Sequence, residues 1–214
     1  MKIRSDFVTN SSSSSFIVGV NKIPETLEEA GDCFFGSKKD FIAPMIIKHL
    51  FQDLKEVNID LKKVFEMAEA LETTMYDWYD DEIPSNEESF LREVFNQWWW
   101  DEQNGYKGYW SSSEPSAYDE FKLSKVREVK PDAKNIYDAD LTYSDIMEFD
   151  DLYFNKKEVK QRFINEVHRK CNMLNRYEKL MKGEFSDQDG ELGGRLEHGE
   201  HWEDFPECIR FSHH

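Results

Sequence analysis

SSFIVGV, residues 14–20, is a short apolar run, rich in β-branched side chains, that closes at the turn-forming stretch Asn21 to Pro24. That pattern predicts an interior strand. An interior strand needs strands to pair with it and apolar stripes to cover it.

Residues 25–40 mix Glu, Gly36, Ser37 and two lysines without a clear period and predict a loop with one helical turn. From Phe41 the positions Phe41, Ile42, Met45, Ile46, Leu50, Phe51 and Leu54 recur at helical steps, with Pro44 in the first turn. Asp60 caps a second expected helix with the stripe Leu61, Val64, Phe65, Ala68, Leu71, Met75 and Trp78. A third starts at Ser85 and Glu88, spaced as a capping box, and carries Phe90, Leu91, Val94, Phe95 and Trp98 on one stripe.

After a glycine and serine region, Lys122 to Val129 and Asn135 to Tyr143 are expected strands, the second because Tyr137, Ala139, Leu141 and Tyr143 alternate with largely acidic neighbours. Asn155 with Glu158 opens a long helix with the stripe Val159, Phe163, Val167, Leu174, Tyr177 and Met181, closed near Gly183. The tail from Glu184 reads as loop until Cys208 to Ser212, a short terminal strand. The expected fold is α+β, a small mixed sheet covered by about four helices. Residues 1–214 read as a single domain, with 1–104 mainly helical after the first strand, 105–116 an internal loop, and 117–214 strand-helix-strand.

Composition bounds the function. Sixteen Phe, nine Tyr and six Trp in 214 residues are too many for a chain that stays solvated, although 33% of residues are charged. No segment approaches the roughly 18 apolar residues that cross a bilayer, and none has the length of a secretory leader core, so the expected location is the cytoplasm. Cys33, Cys171 and Cys208, odd in number and widely spaced, suit free thiols. A net charge of −17 repels phosphate backbones and anionic lipid, which disfavours direct nucleic-acid or membrane binding.

Charge is segregated. Glu69 to Glu102 holds eleven acidic residues against Arg92 alone, and Lys156 to Lys182 holds nine Lys or Arg against three acids. Trp78, Tyr79, Trp98, Trp99 and Trp100 lie among those acids, and aromatic anchors ringed by charge are what interface cores favour. Three successive tryptophans sweep about 200° of a helix, wider than one core contact. The leading functional expectation is therefore an acidic interaction module for a basic protein surface, an inhibitor or DNA mimic included.

A second expectation rests on residues 185–214. Asp187, Asp189, His198, His201 and His213 are types that hold zinc or manganese, and a metal-dependent hydrolase built on them is the alternative. Leu196 at the twelfth position rules out an EF-hand in the register set by Gly190, and no HExxH, GxSxG, phosphate loop or GxGxxG is present.

Ser11, Ser12, Ser13, Ser14 and Ser15, flanked by Phe7-Val8 and Phe16-Ile17, read as an anchored run whose hydroxyls bond backbone groups or face a ligand or modifying enzyme. MKIRSDFVTNSSSSSF, residues 1–16, resembles an N-terminal motif found on many uncharacterised bacterial and phage-encoded proteins. The resemblance is confined to those residues. It implies a bacterial or phage origin and no activity.

Overall fold

A computed structural model describes residues 13–35, 54–75, 84–104, 115–186 and 208–213. The chain divides into two compact units, one of Met1–Asn58, Asp81–Ser85 and Leu174–His214, the other of Ile59–Asp80 and Asn86–Met173.

The first unit holds a four-stranded sheet of β1 (Ser13–Val20), β2 (Lys55–Val57), β3 (Lys179–Ser186) and β4 (Cys208–His213), in the order β2-β3-β1-β4, with every pairing antiparallel. The strand expected at residues 14–20 is thus central, bonded to β3 on one side and β4 on the other. Ser15 through Val20 are all buried, which is why the stretch reads as a continuous apolar run. Two glycines fit aromatic rings to this sheet. Phe16 lies opposite Gly183, where an added Cβ would stand 2.3 Å from the Phe16 Cζ, and Tyr177 covers Gly19 in the same way.

Helix α1 (Leu27–Phe35) belongs to this unit, where a loop was expected. Its start is fixed by Thr26, whose Oγ1 accepts from the Glu29 amide at 3.2 Å, and by the Glu29 carboxylate, which accepts from the Glu25 amide at 2.7 Å. The helix expected over residues 41–54 lies outside the described residues up to 53.

The second unit is helical: α2 (Leu61–Ala70), α3 (Glu87–Asn104), α4 (Ala117–Val129), a 3-10 turn (Ile136–Asp138), α5 (Tyr143–Phe154) and α6 (Lys157–Leu174), whose last residue groups with the sheet unit. Asp60 caps α2 as expected, accepting from the Lys62 and Lys63 amides at 3.0 and 3.2 Å, but the helix stops at Ala70 and Leu71 turns extended. At α3 the reciprocal cap is Asn86 with Ser89, one residue past the expected Ser85 and Glu88. Glu88 instead pairs with Arg92 at 3.1 Å.

Both strands expected after the loop are absent. Lys122 to Val129 is part of α4, and Asn135 to Tyr143 is the 3-10 turn and its exit. The cause is local: Ser116 with Asp119, Asn135 with Asp138 and Thr142 with Asp145 form capping boxes, each starting a helical turn. Asn155 likewise closes α5 rather than opening α6, because its amide returns to the Asp151 and Tyr153 carbonyls.

The core of this unit is a ring cluster. Phe95 stacks on Trp99 at 5.6 Å between centroids and meets Phe154 and Phe163 edge-on at 5.4 and 5.2 Å, so α3, α5 and α6 share one aromatic seam. Thr74 ties the segment after α2 to α5, donating from its amide and hydroxyl to Asp151 at 2.8 and 2.9 Å.

Candidate functional site

The expected docking surface does not form around the tryptophan triplet. Trp98 and Trp99 are buried in the seam, and Trp100, 46% exposed, is the ring that reaches solvent. Trp78 and Tyr79 lie outside the described residues. Several of the acids expected on that surface are engaged internally: Glu87 with Lys63 at 3.7 Å, Glu88 with Arg92, and buried Glu102 with Arg162 and with the Tyr153 hydroxyl at 2.9 Å.

Of the expected metal ligands, Asp187, Asp189, His198 and His201 lie outside the described residues. His213 ends β4, in register with Ser13, which in turn lies opposite Ser186. Among the described residues, no group of three or more His, Cys, Asp or Glu side chains is placed to hold a metal ion. Ser11 and Ser12 are outside the described residues, Ser13 and Ser14 are paired in the central strand, and Ser15 is fully buried. Burial closes the Ser15 hydroxyl to a modifying enzyme, so that part of the serine expectation is corrected.

A second acidic and aromatic stretch lies later in the chain. From Asn135 to Asn155 there are six acidic residues, Asp138, Asp140, Asp145, Glu148, Asp150 and Asp151, and no Lys or Arg. Tyr137 is 87% exposed, Tyr143 67% and Ile146 39%. Along α5, Tyr143, Ile146, Met147, Asp150, Tyr153 and Phe154 follow one another at helical spacing. The stripe enters the core at its C-terminal end, where Asp150, Tyr153 and Phe154 are buried, and runs into solvent at its N-terminal end. Hydrogen bonds from the Lys134 and Asn135 amides lower the Asp138 carboxyl, and those from Thr142 lower Asp145. The signal for this face was present in sequence as the two cap patterns, which turn the segment outward instead of into a sheet.

Two tyrosine–carboxylate pairs lie behind it. The Tyr118 hydroxyl donates to buried Asp150, and the Tyr153 hydroxyl donates to Glu102, the two rings meeting edge-on at 5.2 Å. Burial raises the Asp150 carboxyl, against the opposing pull of Tyr118 and Lys122. Burial also raises both phenols, each helped by its carboxylate, so they remain protonated donors.

A cleft of ≈ 570 Å³ opens between α3 and α6, lined by Gln97, Trp98 and Asp101 on one side and Arg162, Asn165, Glu166, Arg169 and Lys170 on the other. Arg169 grips Glu166 through Nε and a terminal nitrogen at 2.8 and 2.7 Å. The Lys170 ammonium reaches Gln97 Oε1 at 3.1 Å and Glu166 at 3.7 Å. Neither feature follows from composition, because the cleft needs α3 and α6 side by side.

No family model, curated protein or solved structure matches this chain. Among the described residues no helix is long and apolar enough to cross a membrane.

Proposed function

We propose that this protein is an acidic interaction module whose contact surface is the 3-10 turn and the first turns of α5. The observation that supports it is the coincidence, between Asn135 and Asn155, of exposed Tyr137, Tyr143 and Ile146 with six acidic residues in a stretch that contains no Lys or Arg. Isolated exposed apolar residues are ordinary, but here Tyr143 and Ile146 extend a core stripe past the core, in a stretch with six acids and no Lys or Arg of its own. The fitting partner is a basic protein surface with an apolar ridge. Carboxylates set its approach and orientation, and the tyrosine and isoleucine side chains supply burial.

Titration with a Lys/Arg-rich amphipathic helical peptide, followed by fluorescence anisotropy, tests this reading. Binding is expected to weaken as salt rises from ~0.1 to ~1 M, where the screening length falls from about 10 to about 3 Å. An acidic peptide of the same apolar face is expected not to bind. Equal binding of both peptides, or affinity unchanged in a Tyr143→Ser, Ile146→Ser variant, overturns it.

A further inference from the structure

Lys170 is a buried amine facing a cleft. It is 7% exposed, sits on the α6 wall, and its Nζ donates to the Gln97 amide oxygen across the cleft from α3. Around it stand Arg169, Glu166 and Asp101, with the Trp98 indole and Phe163, 5.1 Å apart between centroids, forming the apolar side of the α3/α6 contact. We propose that Lys170 is an imine-forming lysine and that the α3/α6 cleft takes a small 2-oxo carboxylate.

Three features of the cleft carry the assignment. First, an amine becomes a nucleophile only when neutral, and taking it out of water favours that form. Burial lowers the Lys170 ammonium and the Arg169 guanidinium works in the same direction, against the carboxylates of Glu166 and Asp101. Second, a guanidinium carries five N–H donors in a planar fork that matches a carboxylate. Glu166 occupies Nε and one terminal nitrogen of Arg169, which leaves the N–H donors at the outer end of the guanidinium, on a side chain 62% exposed at the cleft, for the ligand's carboxylate. Third, dehydration of the adduct needs a proton donor. Asp101 lines the same cleft, and burial raises its carboxyl, an effect Lys170 opposes and Glu166 reinforces.

The chemistry balances within the site. Neutral Nζ attacks the keto carbon, a C–N bond forms, and the carbonyl oxygen takes up the proton that nitrogen releases. The carbinolamine hydroxyl then leaves as water with a proton from Asp101, giving the protonated imine (iminium) beside the Asp101 carboxylate, which takes the N–H proton back when the neutral imine forms. No oxidant or reductant is consumed. The neighbouring Cys171 does not compete, because burial pushes its thiol up to about 12 and keeps it protonated.

Incubating the intact protein with pyruvate and cyanoborohydride near neutral pH, then mapping the reduced adducts by peptide mass spectrometry, tests the proposal on the unaltered chain. Lys170 is expected to be modified at least ~10-fold faster than Lys62, a small part of the advantage that holding amine and keto acid together in one cleft can bring. Lys62 is the reference because its side chain is 86% exposed. Arg169→Met is expected to slow labelling by pyruvate but not by propanal, which has no carboxylate, and Lys170→Arg is expected to remove the fast site. Lys170 left unmodified, or modified no faster than Lys62, overturns the imine; pyruvate and propanal affected alike by Arg169→Met overturns the carboxylate anchor.

Discussion

Asp150 concentrates the electrostatics of the helical unit in one side chain. It is buried, accepts from Tyr118, and has its carboxyl raised by that burial. A carboxyl raised in the folded state binds its proton more tightly folded than unfolded. Its stabilising contribution is full below the ordinary aspartate value of 3.8 and is lost as pH rises through the folded value. Asp150→Asn stays neutral and still accepts from the phenol, so it is expected to flatten the fall in stability as pH rises above 3.8 in urea unfolding. A steeper fall than in the parent contradicts this. Gly183 makes a second residue-scale prediction. A Cβ there would lie 2.3 Å from Phe16 Cζ in the central strand, so Gly183→Ala is expected to cost about 1–3 kcal/mol, read as a lower urea midpoint at unchanged slope.

At the scale of elements, α3 separates core from surface within three residues. Trp99→Ala is expected to cost about 3–5 kcal/mol, because it empties the seam shared with Phe95, Tyr118 and Phe154, whereas Trp100→Ala is expected to stay within about 0.5 kcal/mol. Thr142→Ala removes half of the α5 capping box and is expected to cost about 1 kcal/mol in thermal unfolding. How far such elements can be read in sequence depends on whether the residues in them have one role. β1, β4 and the buried stripe of α6 were legible because their apolar side chains serve packing alone. β3 was hidden because Tyr177 and Met181 continue the helical spacing of Leu174, although one covers Gly19 and the other belongs to a strand. The false strand over 135–143 arose because Tyr137 and Tyr143 alternate with acids while facing solvent. Capping by Asn135 and Thr142 decided the matter, and cap geometry outranked alternation.

For the whole molecule, the net charge of −17 sets a repulsive background against which two local departures matter. One is the acidic, aromatic turn and start of α5, proposed above as the contact surface. The other is the α3/α6 cleft, invisible until the helices were side by side, because its two walls come from segments far apart in sequence, Gln97 to Asp101 and Arg162 to Lys170. The docking surface is tested most directly by hydrogen–deuterium exchange of the full chain with and without a saturating Lys/Arg-rich amphipathic peptide. Protection concentrated in residues 137–152 and abolished at high salt is the predicted result. Protection elsewhere with that segment unchanged, or protection that persists undiminished at high salt, contradicts it.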